Sequence, residues 1–418
     1  MEYNRAMDKE YQVIIIGGGA SGLFSAARFA QEKNTSVLLI ERADRLGKKL
    51  SATGNGQGNI SNEKVGNGGY FSQDSASLSR VDEMIEKYGK AHLVACFESL
   101  GGLLESDERG RVYPTGRQAS SITDLLRKTL SLSKNVDVLL KAFVKEIKPT
   151  KDGFFVVCQT EDGEKTYFAP DVLLCTGGKA AKNFGTDGNG YALAKSLGHT
   201  VTTTYPSLVQ LKTDTAYIKT LKGIRVNDAC VRAFVNGEEL TKVIGDVIFT
   251  DYGVSGDAIF RISAFITDKI ESKKVQLFID FLPNITHDKL REVLQRKARF
   301  IDETGEILCG IVNNQIGRAI CRFAQNDLEK IVDTIKAFPL SVLGTLGYDY
   351  AQVTKGGVPL IETDKNLQSS KKKGLYLLGE ILDVDGECGG FNLQFAYTCA
   401  CVATTAIIEK NQKRKGQV

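Results

Sequence analysis

Proline is scarce in this chain of 418 residues, at 7 against a usual share of roughly 5%, and a collagen-like chain is excluded. Histidine is limited to His92, His199 and His287, far apart and in unrelated contexts. No His-based metal site is therefore expected, and each reads as structural or exposed. The nine cysteines are an odd number without a CxxC pair, and Cys158, Cys175 and Cys321 sit in apolar runs. That usage predicts thiols in a reducing, cytoplasmic compartment. Charge of one sign is lacking too: 54 Lys and Arg face 50 Asp and Glu, a net of +4, which gives no electrostatic case for nucleic acid. The polar start Met1–Glu10 leads into a glycine-interrupted apolar run, which is no signal peptide. No stretch reaches the roughly 18 unbroken apolar residues of a membrane span. Neither GxSxG, a Walker loop nor HExxH occurs. The run Lys410–Lys415 reads as a solvated, frayed tail.

What is plentiful is glycine, 42 residues, within an otherwise ordinary 42% hydrophobic and 25% charged composition. At about 150 residues per domain, the length predicts two or three domains and a sizeable core. Val13–Ile16 is a continuous β-branched run, the pattern of a strand buried on both faces of a parallel sheet. Gly17, Gly19 and Gly22 follow as G-x-G-x-x-G, with Ala20 and Ser21 between them, and a helical pattern runs from Leu23 to Gln31. Gly17 allows the tight turn, Gly19 lets a pyrophosphate approach the backbone, and Gly22 lets helix and strand pack closely. The helix N-terminus then turns N–H groups and partial positive charge toward phosphate. A second strand, Val37–Ile40, ends at Glu41, followed by Arg42. A carboxylate at that offset accepts ribose hydroxyls and repels a 2′-phosphate, so the site is predicted to hold FAD or NAD, not NADP.

The choice between them comes from elsewhere. Gly47–Asn59 is too rich in Gly and Asn for helix or strand. It suits a loop wrapping a ligand with its main chain through Thr53, Gly54, Asn55, Gly56 and Asn59, and Lys48 or Lys49 could add charge; a flexible surface loop is the alternative. Val172–Cys175 runs into the turn Thr176-Gly177-Gly178. The strand-rich stretch before it places Val144 beside an adenine. Gly374–Leu378 reads as another buried strand, followed by Gly379, Glu380 and Asp383, then Gly389, Gly390, Phe391, Asn392 and Leu393 opening an apolar helix through Ile408. A second glycine-lined strand-to-helix junction so far from the first suits the other half of one FAD. A helix starting near Gly390 would aim its N-terminus at the flavin pyrimidine, where reduced flavin carries negative charge. Asp383 would reach the ribityl or phosphate region.

The segments Gly17–Gly22, Ala52–Gly56, Thr176–Gly178, Phe249–Gly256, Thr354–Val358 and Gly379–Gln394 occur in this order in a family that the chain resembles along essentially its whole length. It is that of bacterial NAD(P)/FAD-dependent oxidoreductases, of the bile-acid-operon 3-dehydro-bile-acid Δ4,6-reductase and aminoacetone oxidase type. The resemblance implies a Rossmann-type FAD domain interrupted by a β-barrel-like domain and a small helical domain. The chain departs from it at Gln57 and Gly58, where the family usually has Arg and Cys, and at Gln368–Ser370. A mechanism using that cation or thiol is not carried over.

The fold expectation is thus α/β: a Rossmann-type FAD-binding domain with a doubly wound parallel sheet, interrupted by a β-barrel-like domain and a helical insert. In residues, 1–198 begin the FAD domain and 199–283 the barrel, with turns such as Asn236-Gly237 between short β-branched stretches. Residues 284–338 form the helical insert, bounded by Pro283 and Pro339, with helical spacing at Leu290, Val293 and Leu294. Residues 339–353 return through the barrel, and 354–418 complete the FAD domain.

With no other activated nucleophile motif, flavin carries the chemistry, hydride passing between substrate and flavin N5. No second GxGxxG unit exists, so NAD(P)H would bind transiently at the open flavin face or oxygen would reoxidise the flavin. Tyr252 and Tyr205 are the candidates for proton transfer, with simple packing the competing role. Cys388 invites a redox reading, but a buried small apolar role is preferred. The leading expectation is a reductase of an activated C=C or C=O bond in a small-molecule substrate, held in a pocket between the flavin and the inserted domains. An amine oxidase using oxygen and a non-catalytic flavin sensor are the alternatives.

Overall fold

The computed structural model describes residues 8–301 and 306–415; Met1–Met7 of the polar start lie outside it. The chain divides into two compact units, one made of the residues up to Thr204 and those from Val353 on, the other of Tyr205–Gln352.

In the first unit, β1 (Val13–Ile16), β2 (Val37–Ile40), β3 (Val136–Leu139), β4 (Asp171–Leu174) and β5 (Leu375–Leu377) form a parallel sheet in the spatial order β5-β4-β1-β2-β3. Every residue of β1, β2, β4 and β5 is buried, which is why, Asp171 at the start of β4 apart, these strands read as unbroken apolar runs, whereas edge strand β3 exposes Asp137 and Val138. The strand order reverses between β4 and β2 around β1, placing the glycine loop at a topological switch point. The helix Ala20–Gln31 packs against the C-terminal helix Phe391–Lys415, with Phe24 edge-on to Tyr397 at 5.3 Å.

That C-terminal helix is the one candidate among the described residues that is long and apolar enough to cross a membrane, but 72% of its apolar window is buried inside the protein. It continues past the expected end at Ile408. Lys410 there is no frayed terminus: its Nζ donates to both carboxylate oxygens of Asp171 at 2.5 Å. A buried acid at the start of β4 captures the first lysine of the basic run. Cys399 and Cys401 are both fully enclosed, and burial pushes the Cys401 thiol up to about 12. No disulfide joins any of the nine cysteines.

The region between Asn59 and β3, to which the sequence assigns no elements, holds helices Leu78–Tyr88, Lys90–Ser99 and Ala119–Leu132. Beside them is a three-stranded sheet of Ser61–Asn62, Arg111–Pro114 and Leu104–Ser106. Strands of two to four residues leave no readable alternation.

A polar clasp closes the strap before β5. The Glu362 carboxylate accepts from His199 Nδ1 at 2.7 Å, Thr200 Oγ1 at 2.8 Å and Lys371 Nζ at 2.8 Å. His199 Nε2 accepts the Ser369 hydroxyl at 2.8 Å. Burial pushes Glu362 up, but Lys371, Thr200 and His199 together hold it down at about 2, while burial lowers His199 despite Glu362. Both groups bind protons less readily folded than unfolded, so stability is lost as pH falls. The His199 share starts to go as pH drops through its ordinary 6.5; the Glu362 share goes between 4.5 and about 2. Melting temperature against pH should therefore flatten in the lower window in Glu362→Gln; an unchanged acid limb would contradict the clasp.

The second unit is a closed six-stranded barrel, ordered Leu211–Thr213, Gly253–Ser255, Glu238–Phe249, Arg225–Val235, Val275–Asp280, Phe338–Thr345. Its longest hairpin turns at Asn236-Gly237, both at positive φ (52° and 91°), as a two-residue turn between twisted strands requires. One expectation fails here. Asp257–Ile266, inside the stretch read as strands, is a helix burying Ala258, Ile259, Ile262 and Ile266. Their i, i+3, i+4 spacing is helical, but the β-branched content of the neighbourhood masks it. Helices His287–Lys297, Asn314–Phe323 and Leu328–Lys336 follow, each started by a side chain accepting a backbone N–H: Thr286, Asn313 and Asp327.

Candidate functional site

The glycine loop separates packing from binding. Gly17 sits at φ +102°, and a Cβ there would lie 2.5 Å from the Cys175 carbonyl oxygen; one on Gly22 would lie 1.9 Å from that of Gly17. Both are glycine because the loop closes on itself and on β4. Gly19 differs, since a Cβ there meets nothing within 4 Å. It is the N-cap of Ala20–Gln31, with no side-chain cap and no acid in the first turn. This helix start offers unsatisfied N–H groups and positive potential to open space.

At the end of β2, Glu41 accepts the Gly18 N–H through Oε2 and the Ala43 N–H through Oε1, each at 2.7 Å. Its carboxylate is held still, with lone pairs left for hydroxyl donors. Arg42 pairs with Asp187 at 2.9 Å. Val144 is buried in the strand Phe143–Pro149 of an adjoining four-stranded sheet.

Residues 50–56 make tight turns interrupted by non-helical backbone at Thr53, Gly54 and Asn55, so the segment is a shaped loop. Gly56, at φ +83°, faces open space. Lys48 pairs with exposed Asp44, and Lys49 reaches Glu380 Oε2 at 2.8 Å. Glu380 Oε1 accepts the Thr354 N–H at 2.9 Å, and the Thr354 hydroxyl accepts the N–H groups of Lys179 and Ala180 at 2.7 and 3.0 Å. One carboxylate thus ties the loop, the Thr176–Gly178 turn and the segment after β5 into one wall. Sequence reasoning did not place Thr354 among the site residues; its signal was the Thr354–Val358 run, noted only as family-like. The Ser21 hydroxyl donates to the Leu378 carbonyl at 3.3 Å, joining the glycine-loop helix to the same wall, and a Cβ on Gly379 would press on Ser21.

Farther along, Gly389 and Gly390 take φ of +113° and +103°, and a Cβ on Gly390 would lie 2.2 Å from the Ser61 carbonyl oxygen. The Ser61 hydroxyl donates to Gln394 Oε1 at 2.6 Å; the Gln394 amide donates to the Tyr88 carbonyl at 2.9 Å. Asn392 bonds the Gly386 backbone twice at 2.8 Å, and the Phe391 ring meets Tyr70 edge-on at 5.7 Å. Leu393 is half-buried against the core. The C-terminal helix start, free of acids in its first turn, is therefore anchored rigidly. Cys388 beside it is half-buried, not enclosed. Asp383 is wholly enclosed; its Oδ2 accepts the Gln73 N–H at 3.2 Å.

Tyr205 and Tyr252 belong to the second unit and are half-buried there; burial raises the Tyr252 phenol above its ordinary value.

The residues present fit FAD. Gly19 leaves the room a diphosphate needs at an uncapped helix start, and Glu41 supplies an ordered acceptor. The side-chain oxygens of Asn59 and Thr176, buried in the same wall, lack hydrogen-bond partners. A profile of the HI0933-like protein Rossmann domain matches residues 11–406. A 3-dehydro-bile acid delta(4,6)-reductase of Clostridium scindens is 34% identical over 414 residues, covering 95% of this chain and 98% of that protein. A ribosomal RNA dihydrouridine synthase of Haemophilus influenzae is 26% identical over 426 residues, covering 96% and 99%. In fold, the chain is similar to a 3-ketosteroid-delta4-(5alpha)-dehydrogenase from Rhodococcus jostii. The two align with a TM-score of 0.51 at 15% identity, over 97% of this chain and 98% of the other.

Proposed function

From the premise that this chain belongs to the HI0933-like family of FAD-dependent oxidoreductases, we propose that it reduces a carbon–carbon double bond conjugated to a carbonyl in a small molecule, with NAD(P)H as a transient hydride donor. What carries this reading is the chemistry common to its relatives. One is named for reducing a dehydro-bile acid and the other for making dihydrouridine, two unlike substrates in each of which a carbonyl-conjugated C=C becomes saturated. The net charge of +4 favours a small molecule over RNA, which demands a basic face.

Bound FAD would supply the hydride-transfer chemistry. In this proposal the Gly17–Gly22 loop receives the diphosphate, Glu41 the ribose hydroxyls, and the Gly389–Leu393 helix start the pyrimidine end. Asn59 and Thr176 line the wall between them. Tyr252 and Tyr205 are the candidates to hold the proton that follows hydride onto the substrate. The absence of disulfides supports a cytoplasmic setting.

Anaerobic mixing with NADH or NADPH should bleach the flavin absorbance, and adding an α,β-unsaturated ketone should restore it. Bleaching by neither nucleotide would overturn the donor assignment. Reoxidation by oxygen alone with peroxide release on adding a small amine would favour the oxidase instead, and uniformly slow reduction would favour a sensor.

A further inference from the structure

The carboxyl group of Asp383 is not accounted for by the contacts that shape the site. It lies between Glu380, which ties the site wall together, and Gly389, which the proposal above assigns to FAD, and its backbone N–H donates to the Val358 carbonyl at 2.8 Å. Its side chain has no exposure to solvent. Oδ2 accepts one N–H, from Gln73 at 3.2 Å, and Oδ1 has no hydrogen-bond partner. A carboxylate accommodates about four donors; burying one with most of its capacity unmet disfavours the ionised form strongly. Burial indeed raises this carboxyl to about 6, against the opposing pull of the Gln73 N–H, the Ser72 hydroxyl and the Lys355 charge and with a push from Asp74. Those are the groups that face it from the 72–74 and 355 segments, and Asp385 is the next acid along the chain.

We propose that Asp383 is a redox-linked proton acceptor of the flavin site: a carboxylate beside the oxidised cofactor, which takes a proton from solvent when the cofactor gains a hydride and its negative charge. The inference rests on the assignment of the Gly389–Leu393 helix start to FAD. The balance is simple. The donor, a reduced nicotinamide, gives two electrons and a hydrogen to the cofactor, leaving it anionic. The solvent proton forms an O–H bond on Asp383, and that proton is released when the substrate takes the hydride. Asp383 acts on the flavin through its field and is a positioning residue for charge, not for substrate.

The test is proton uptake on anaerobic dithionite reduction of the FAD-loaded protein, followed with a pH indicator in weak buffer and compared with Asp383→Asn. Asparagine keeps the size and the acceptor for the Gln73 N–H but cannot ionise. Near neutral pH, the parent protein should take up more protons per flavin than the variant, by up to about one. The excess should vanish at pH 5 or below, where the carboxyl is already protonated before reduction. Equal uptake by the two FAD-loaded proteins at neutral pH overturns the role of Asp383. The parent protein remaining colourless with excess FAD overturns the site assignment itself. If the variant alone fails to hold FAD, the carboxyl C=O infrared band of the parent decides: its appearance on reduction supports the proposal, and its absence overturns it.

Discussion

Gly19→Asp is expected to raise the melting temperature of the FAD-free protein while lowering FAD affinity by about 100-fold or more, roughly 3 kcal/mol. The two effects have one origin. Gly19 is an N-cap in extended backbone, φ −76° and ψ −160°, without a capping side chain. An aspartate there can accept the helix's unsatisfied N–H groups and sit favourably on its positive end, a gain of about 1 kcal/mol. Because a Cβ at this position meets nothing within 4 Å, the substitution enters free space. That space and those N–H groups are the ones a diphosphate needs, and the new carboxylate repels it as well. Thermal unfolding without FAD and titration with FAD measure the two halves separately. Retained affinity would mean that the diphosphate lies elsewhere. Gly22→Ala is the contrasting control, since its Cβ would lie 1.9 Å from the Gly17 carbonyl oxygen and the loss there is of fold.

Lys410→Met is expected to destabilise the protein by about 2–3 kcal/mol while leaving its affinity for FAD near normal. The Asp171 side chain is 1% exposed and Lys410 29%. Taking the cation from a buried pair costs about 3–5 kcal/mol, and the lower figure reflects the partial exposure of the lysine. The pair sits at the beginning of β4, whereas ligands of such sheets bind beyond the carboxyl ends of the strands, so cofactor binding should not notice. Asp171→Asn combined with Lys410→Met should recover much of the loss, with a coupling of at least about 1 kcal/mol in a denaturant-unfolding cycle. Additive losses would show that the two groups do not depend on each other.

Where the physics is local, the sequence was sufficient. Val13–Ile16, Val37–Ile40 and Val172–Leu174 are legible as strands because a parallel strand buried on both faces is built mostly of apolar side chains. The G-x-G-x-x-G between strand and helix names its own purpose, since only glycine tolerates a Cβ position 1.9 or 2.5 Å from a carbonyl oxygen. The Asn236-Gly237 turn is equally local.

Contacts between residues hundreds of positions apart left no such trace. Nothing around Lys49 announces that it meets Glu380, nor around Lys410 that Asp171 waits for it; as sequence, the first looked like a phosphate ligand and the second like a solvated tail. The helix Asp257–Ile266 was hidden because its apolar spacing resembles strand when its neighbours are β-branched, and only packing inside the barrel unit chose between them. So the chain alone determined which backbone segments need glycine and which leave a helix start open, because steric tolerance is written residue by residue. Which charges are already spent on one another, and which carboxyl is left enclosed with an unmet oxygen, was decided only by the tertiary structure, because desolvation and pairing depend on what the fold brings alongside.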